Sequence, residues 1–246
     1  MTKGSIEIDL FFTPSELGEG SVKGKNVVVV DVLRAATTVA HALHSGAELV
    51  IPVANTEGVT RLASTLDRKQ IVLCGEREGV RIEGYELGNS PEEYTEERVE
   101  GKTLVITTTN GTAAVARCEG AAQVALASLV NMDAVVAHVA KKRSWIILCS
   151  GSRGRFALED ALCAGAIVAG LRGEGLEIEG NDACRSAEFL YSSAGADLPD
   201  ILAGTEAGRV LHQLGLQRDI LFCSRLNAVP VLPLVADGRI ARSGAD

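Results

Sequence analysis

The chain has 246 residues, 46% of them hydrophobic, and a formal net charge of −8 at pH 7. It is long enough to bury a sizeable core, as one large domain or two closely packed ones. The acidic balance argues against nucleic acid and anionic membrane surfaces as partners, and no apolar run approaches the roughly 18 residues that span a membrane. Because the first residues, MTKGSIEIDLFF, form no secretory signal, we expect a cytoplasmic protein.

The first part of the chain predicts a sheet with crossover helices. Ser5–Phe12 alternates apolar and polar residues, as an edge strand with one wet face does. Val27–Val30 is an unbroken β-branched run, which is typical of a strand buried on both faces. Helical and extended patterns then alternate up to Cys74. This β–α–β–α–β order predicts an α/β fold with a mostly parallel sheet.

Polar residues follow the Val27–Val30 strand at its carboxyl end. Asp31 and Arg34 come first, and Thr37 and Thr38 stand at the start of the next helical pattern. Ligands of open α/β sheets bind outside the carboxyl ends of the strands, so these groups suit a metal-assisted anion site. The alternative is that Asp31 only caps the helix and Arg34 pairs with a surface acid.

A long segment rich in glycine and charge, Gly75–Pro91, follows the strand predicted at Gln70–Cys74. Glu76 and Arg77 stand at its start, on the side of the sheet predicted for Asp31. Loops longer than about 12–15 residues are often functional in compact domains. The alternative is a solvated loop with ordinary turn residues.

The next strand runs into the turn TTTNGT, which contains Asn110, Gly111 and Thr112. An alanine-rich helix follows it, so the glycine lies in a strand-to-helix turn. Backbone N–H groups and hydroxyls at such a turn favour an anion. The alternative is a plain turn in which Thr112 caps the helix.

A further glycine-rich turn, CSGSRGRFALED, leads from the strand Ser144–Cys149 into a helix whose first turn holds Glu159 and Asp160. The helix dipole alone favours acids there. Placed opposite Asp31 and Glu76, these acids would also complete a magnesium site, because Mg²⁺ binds carboxylates, waters and substrate phosphate.

The last third predicts helices at Asn181–Ser193 and Thr205–Leu214, and a terminal hairpin formed by Val231–Val235 and Arg239–Ala241. We interpret residues 1–246 as one α/β domain with a helical C-terminal part packed against the sheet. A subdivision near residue 175 would separate the sheet core from a helical cap that ends in the hairpin.

The glycine-bearing turns and scattered carboxylates favour phosphoryl chemistry by one of two mechanisms. In the first, carboxylates hold Mg²⁺ while Arg34 and the Thr107–Thr112 turn bind phosphate oxygens. In the second, Cys149 attacks phosphorus and Arg155 binds the phosphate in a C-x5-R loop. No histidine precedes Cys149, and the metal mechanism is the favoured one. The six cysteines show no C-x-x-C pair, which argues against zinc and disulfides.

Four motifs stand in order between about Val27 and Gly170: DVLRAATT, GEREG followed by YELGNSPEEY, GKTLVITTTNGT and GSRGRFALED. Together they resemble the 2-phosphosulfolactate phosphatase family. The resemblance implies an α/β fold and a magnesium-dependent phosphoric monoester hydrolase (EC 3.1.3.71). The implied reaction converts (2R)-2-phospho-3-sulfolactate to 3-sulfolactate and phosphate on the route to coenzyme M.

Carried over motif by motif, the resemblance implies the site residues apart from Arg153 and Arg155, and we add these two and assign three roles from chemistry. The catalytic residues are Asp31, Arg34 and Glu76. The metal ligands are Asp31, Glu76, Glu159 and Asp160. The substrate-binding residues are Thr37, Thr38, Arg77, Asn89, Asn110, Gly111, Thr112, Arg153 and Arg155, and the three arginines among them are candidates for the sulfonate and carboxylate.

Two alternatives stay open beside this interpretation. One is a broader phosphatase of 2-hydroxy-acid phosphate esters. The other is a non-catalytic protein that binds a phosphorylated acid, against which the clustered carboxylates argue, since they add nothing to anion binding. In either case we expect a small anionic phosphorylated ligand and a homo-oligomer, a dimer.

Overall fold

The structure, a computed structural model, describes residues 4–195 and 197–244. Its strands are β1 (Ser5–Phe11), β2 (Asn26–Val30), β3 (Leu49–Pro52), β4 (Ile71–Arg77), β5 (Val80–Arg81), β6 (Thr103–Thr107), β7 (Gln123–Ala127), β8 (Ser144–Cys149), β9 (Glu177–Gly180), β10 (Pro233–Ala236) and β11 (Arg239–Arg242). Its α-helices are α1 (Ala35–His44), α2 (Thr56–Ala63), α3 (Glu96–Val99), α4 (Gly111–Ala116), α5 (Met132–Val139), α6 (Leu158–Gly173), α7 (Asp182–Ala194), α8 (Leu198–Gly204), α9 (Glu206–Gln213) and α10 (Gln217–Cys223). The alternation of strands and helices confirms the predicted α/β class.

The strands form one sheet in the order β5-β4-β6-β3-β11-β10-β7-β2-β8-β1-β9. Strands from both sides of residue 175 share it, because β9, β10 and β11 pair with strands of the first part of the chain. Most pairings are parallel, as predicted. The exceptions are the β4–β5 turn and the pairings made by the C-terminal hairpin.

The valine run of β2 is buried on both faces because helices cover both sides of the sheet. Val28 and Val30 pack into the core formed with α5 and α6. Val27 and Val29 pack into the opposite core, formed with α1. The absence of alternation in this run is thus the expected pattern of an interior parallel strand.

The C-terminal hairpin β10–β11 lies in the middle of the sheet, between β7 and β3. The sequence predicts this hairpin but not its position. Because the successive pairings β3–β11, β11–β10 and β10–β7 are all antiparallel, the strands on either side of the hairpin run in opposite directions. The turn after β6, in one half, nevertheless packs against Asp31, which follows β2 in the other half.

Two sequence predictions about strands were wrong. Ser5–Phe11 is not an edge strand, because β9 pairs with it in parallel on its outer side. The segment after Cys74 is not irregular throughout: β4 continues to Arg77, and Val80–Arg81 folds back against it around a turn at Glu78 and Gly79. Such turns need positive φ, which both turn residues adopt.

The C-terminal helices pack against the α6 side of the sheet. Helix α6 contacts α7 so closely that a Cβ at Gly165 would lie 2.0 Å from the carbonyl oxygen of Ala187. Leu198, Leu202 and Leu211 of α8 and α9 join the same core. No helix within the described residues is long and apolar enough to cross a membrane.

Candidate active site

Asp31 lies directly after β2 and is one of the buried carboxylates of the predicted site. Its Oδ1 accepts a hydrogen bond of 2.9 Å from the backbone N–H of Ala35, at the start of α1. Burial, with smaller contributions from the charges of Glu76 and Glu159, raises the pKa of Asp31 to about 7. The buried Ser150 hydroxyl lowers this pKa slightly, without a hydrogen bond of normal geometry. Asp31 therefore exchanges protons near neutral pH when no cation is present.

Asp160 connects two of the predicted loops. Its Oδ1 accepts from Val32 N at 2.9 Å, and its Oδ2 accepts from Gly151 N at 3.0 Å. Burial, followed by the charges of Asp31 and Glu159, holds the pKa of Asp160 well above its usual value. Since backbone amides occupy both oxygens, Asp160 fixes the segment after β2 against the turn after β8.

Glu159, its neighbour on α6, is also buried, at 4% exposed. Burial raises the pKa of its carboxyl, and the hydroxyl of Thr205 partly offsets this rise. The charge of Glu206 adds to it. Glu159 thus lies between the interior carboxylates and the C-terminal helices.

Glu76 joins two loops in the other half of the sheet, as Asp160 does in its own half. Its Oε1 accepts from Thr109 N at 2.7 Å, and its Oε2 accepts from Gly79 N at 2.7 Å and from the Thr109 hydroxyl at 3.2 Å. The carboxylate therefore holds the β4–β5 turn and the turn after β6 together. It is 6% exposed and borders the pocket described below.

The turn after β6 approaches Asp31 closely. A Cβ at Gly111 would lie 2.5 Å from the Ala35 Cβ and 2.7 Å from the Asp31 Oδ2, so only glycine fits there. Asn110 points its Oδ1 at the backbone N–H of Arg153, 3.1 Å away. The Thr112 hydroxyl donates to Thr108 O at 2.9 Å. The close approach of Gly111 to Asp31 brings the carboxyl ends of β2 and β6 to one site.

Thr37 and Thr38 lie inside the protein rather than in the pocket wall. The hydroxyl of Thr37 donates to Val32 O, and that of Thr38 donates to Asn89 O, each at 2.8 Å. Both residues are 0% exposed. They fix α1 to the segment before it and to the segment that carries Asn89. The Asn89 side chain lies at the pocket wall, and its buried Oδ1 has no hydrogen-bond partner.

A pocket of ≈ 130 Å³ collects many of the predicted residues. Its lining includes Arg34, Glu76, Asn89, Asn110, Arg153 and Arg155. Arg153 and Arg155 stand at its mouth, where they pair with Glu78 at 3.5 Å and Glu206 at 2.8 Å. Arg77 is not among the lining residues, and its guanidinium donates to Glu76 O and to the Thr107 hydroxyl. The mouth of the pocket therefore holds two arginine–glutamate pairs, and the carboxylate of Glu76 borders its interior.

Asp219 of α10 is a residue of this region that the sequence interpretation missed. Its Oδ2 accepts from Arg34 Nη1 at 2.6 Å, and its Oδ1 accepts from the Ser90 hydroxyl at 2.6 Å. Both Arg34 and Asp219 are almost fully buried. The one available signal in the sequence was an acid directly before the apolar residues ILFC. Such a signal is ambiguous by itself.

The carboxylates do not form a closed metal cage. Across residues 4–195 and 197–244, no group of three or more His, Cys, Asp or Glu side chains is arranged to hold a metal ion. Mg²⁺ commonly uses only one or two carboxylates, with waters and substrate phosphate completing its shell. Asp31 and Glu159, whose pKa values are raised beside other acids, fit such an open site.

The structure argues against the thiol mechanism. Cys149 is 0% exposed at the end of β8. Burial, followed by the charge of Asp160, raises its thiol pKa well above the usual value. A nucleophilic cysteine instead needs exposure and a lowered pKa.

Comparison with known proteins gives a consistent result. The sequence model of the 2-phosphosulpholactate phosphatase family matches residues 11–238. A protein of Symbiobacterium thermophilum is 40% identical over 88% of this chain and 94% of its own length. Proteins of Caldanaerobacter subterraneus and Clostridium acetobutylicum are 37% and 32% identical over 97% and 96% of this chain, and 99% and 100% of their own lengths. All three are named probable 2-phosphosulfolactate phosphatase, which confirms the resemblance that the motifs indicated.

Proposed function

Because the chain belongs to the 2-phosphosulfolactate phosphatase family, we propose that it hydrolyses (2R)-2-phospho-3-sulfolactate to 3-sulfolactate and phosphate. One observation carries the proposal: the buried carboxylate of Glu76 lines a pocket together with Arg34, Arg153 and Arg155, and the charge of Glu76 acts on the buried Asp31 behind it. The carboxylates suit proton transfer, and the arginines suit an anionic substrate.

The proposed substrate needs individual cations, and three arginines line the pocket. 2-Phosphosulfolactate carries a phosphate, a sulfonate and a carboxylate, whereas the chain has a net charge of −8. Local cations must therefore hold it. Arg34 lies inside the pocket, with Arg153 and Arg155 at the mouth, and we assign the phosphate to Arg34 and the other two anionic groups to the mouth arginines.

Mg²⁺ is the cofactor that we propose for this reaction, held by Asp31 and Glu159. When bound, it would neutralise charge on the phosphate and orient it for attack. Asp160 and Glu76 each have both oxygens on backbone or side-chain donors. We therefore assign to them the positioning of the loops that carry Asp31, Asn110 and Arg34.

Overall, hydrolysis forms a bond from a water oxygen to phosphorus and breaks the bond from phosphorus to the lactate oxygen, which takes up one proton of that water. Two routes use Asp31 in this step. As a general base it accepts the proton of the attacking water, and as a nucleophile it attacks phosphorus itself and is then released by water. Rapid acid quench separates the routes, because only the second leaves phosphate covalently bound to the protein.

The most direct test is phosphate release from 2-phosphosulfolactate and from 2-phospholactate, with Mg²⁺, with EDTA and after thiol alkylation. We expect activity that needs Mg²⁺, survives alkylation and prefers the sulfonated substrate. Equal rates on both substrates would favour the broader phosphatase of 2-hydroxy-acid esters. Binding without release under any condition would favour the non-catalytic protein. The proposed setting is a cytoplasmic homodimer that supplies sulfolactate for coenzyme M.

A further inference from the structure

Asp219 is a buried carboxylate that belongs to no motif of the site. It lies on α10, in the C-terminal part of the chain, at 2% exposed. Its two oxygens accept hydrogen bonds from partners more than a hundred residues away, Arg34 and Ser90, both at 2.6 Å. One side chain thus joins three distant segments of the sequence.

Both partners of Asp219 lead directly to the pocket. Arg34 is itself a lining residue, and its Nη2 also donates to Gly79 O at 2.9 Å. Ser90 follows Asn89, whose amide lines the pocket and whose buried Oδ1 is without a hydrogen-bond partner. Asp219 therefore joins the lining residue Arg34 to the segment that carries the lining residue Asn89.

Stability alone does not account for this arrangement. Replacing a buried ion pair by well-packed apolar residues is often neutral or stabilising, because removing two charges from water is costly. The pair leaves Arg34 with donors to spare, since a guanidinium has five N–H groups and the structure gives it one bond to Asp219 and one to Gly79. A guanidinium fixed in this way can present its remaining donors to an anion.

We propose that Asp219 is a positioning residue of the phosphatase site, which orients Arg34 and the Asn89 segment for the substrate phosphate. The reaction in this inference rests on the proposed function. The geometry rests on the contacts of Arg34, Ser90 and Gly79. Asp219 does not contact the substrate; it acts through Arg34. The C-terminal helices thereby become part of the site instead of a cover over it.

The first test is the Asp219→Asn variant, which keeps the shape of the side chain and one acceptor but removes its charge. We expect kcat/KM on 2-phosphosulfolactate to fall about 10- to 100-fold, the range found for residues that orient a site. The loss should lie mainly in kcat, because a misplaced guanidinium stabilises the transition state less. Arg218→Ala is the matched control: Arg218 is the neighbouring residue of α10, and its surface pair with Glu92 links the same helix to the same segment. It should retain the wild-type rate.

A double variant tests whether Asp219 acts through Arg34. If it does, Arg34→Ala combined with Asp219→Asn should be within about twofold of Arg34→Ala alone, since the positioned group is already absent. Losses that multiply would mean independent effects and would overturn the proposal. Ser90→Ala gives a second approach that leaves the ion pair intact, and a several-fold fall in kcat is expected.

Binding of inorganic phosphate, measured by calorimetry, separates the failure of this inference from the failure of the proposed function. Wild-type protein that releases no phosphate from the ester would refute the proposed function alone. Phosphate binding at least about fivefold weaker in folded Asp219→Asn than in wild type would still support the positioning role. Unchanged binding and unchanged kcat in that variant would overturn it.

Discussion

The interior carboxylates and the arginines at the mouth of the pocket differ in burial and in the partners that hold them. Asp31 and Asp160 are 6% and 3% exposed and lie against backbone amides. The side chains of Arg155 and its partner Glu206 are 67% and 58% exposed and form a direct ion pair at the surface. The first group is fixed by the fold, whereas each arginine of the second is held by one surface ion pair.

This difference separates two tasks. Burial and neighbouring acids raise the pKa values of the interior carboxylates. The ionised form of each carboxyl is therefore unfavourable, and binding of a cation or a proton relieves this. Exposed ion pairs contribute only about 0–1 kcal/mol, so an anion that binds Arg155 would displace Glu206 at little cost. We infer that the interior supplies the chemistry and the mouth supplies capture of the substrate.

The largest expected effect comes from Asp31→Asn. This change keeps the size of the side chain but removes the base or nucleophile, so we expect kcat to fall at least about 10³-fold while the protein stays folded. Steady-state phosphate release measures the loss, and circular dichroism reports the fold. Asp133→Asn, an exposed acid at the start of α5, is the control and should be silent. A folded Asp31→Asn variant with full activity would remove Asp31 from the chemistry.

A smaller effect is expected from Glu76→Gln. An amide cannot accept from both Thr109 N and Gly79 N, because its nitrogen would face one of these donors. We expect about a 100-fold lower kcat/KM and a lower melting temperature, since an unpaired buried donor costs roughly 1–3 kcal/mol.

Glu86→Gln is the matched control for that variant. Glu86 also accepts from a backbone amide, that of Leu73, but it is not a lining residue of the pocket. It should lower stability without lowering kcat/KM of the folded enzyme. Equal losses of activity in the two variants would mean that Glu76 acts only on the fold.

Much of the fold followed from the sequence because local pattern determines it. The strand Ser144–Cys149 has the bounds that were predicted, and the hairpin near the C-terminus forms as its Asp-Gly turn indicates. The place of that hairpin between β7 and β3 was not predictable, because edge and interior positions depend on long-range pairing. For the same reason β9, with only Glu177–Gly180, was missed: its partner is the first strand of the chain.

The candidate site shows the same division between local and long-range information. The motifs predicted Asp31, Glu76 and Asp160, because acids at strand ends and in the first turn of a following helix indicate a site at the sheet edge. They could not reveal that backbone amides occupy both oxygens of Asp160, since hydrogen bonding depends on how loops meet. Asp219 was missed because its partner Arg34 is 185 positions away in sequence.

A further prediction concerns the mouth of the pocket. Arg155→Ala should raise KM about tenfold with a smaller change in kcat, because one charge-assisted contact is lost. Glu206→Gln frees Arg155 from its partner and should leave KM unchanged or lower it. Arg172→Ala is the control, since it breaks a comparable surface pair, with Glu188, between α6 and α7. A fall in kcat without a change in KM in Arg155→Ala would place this arginine with the interior groups.

The smallest effect, a shift in melting temperature with pH, tests the interior directly. Asp31 has a folded-state pKa of about 7 against a usual 3.8. A raised carboxyl pKa stabilises the fold at low pH, and this contribution is lost as pH rises through about 7. The raised pKa values of Glu159 and Asp160 act in the same direction, whereas the lowered pKa values of His41 and His138 act in the opposite direction near pH 6.5.

The comparison of wild type with Asp31→Asn therefore isolates the contribution of Asp31. Without Mg²⁺, wild type should lose melting temperature relative to the variant between pH 5.5 and pH 8.5, by roughly 4 °C or more, because 1 kcal/mol corresponds to about 2–4 °C at this chain length. Mg²⁺ should restore wild type at pH 8.5 and have little effect on the variant, since the cation compensates the charge that the variant lacks. Parallel curves for the two proteins would mean that the charge of Asp31 does not destabilise the folded protein. Proton or cation binding in the interior would then be centred on another acid.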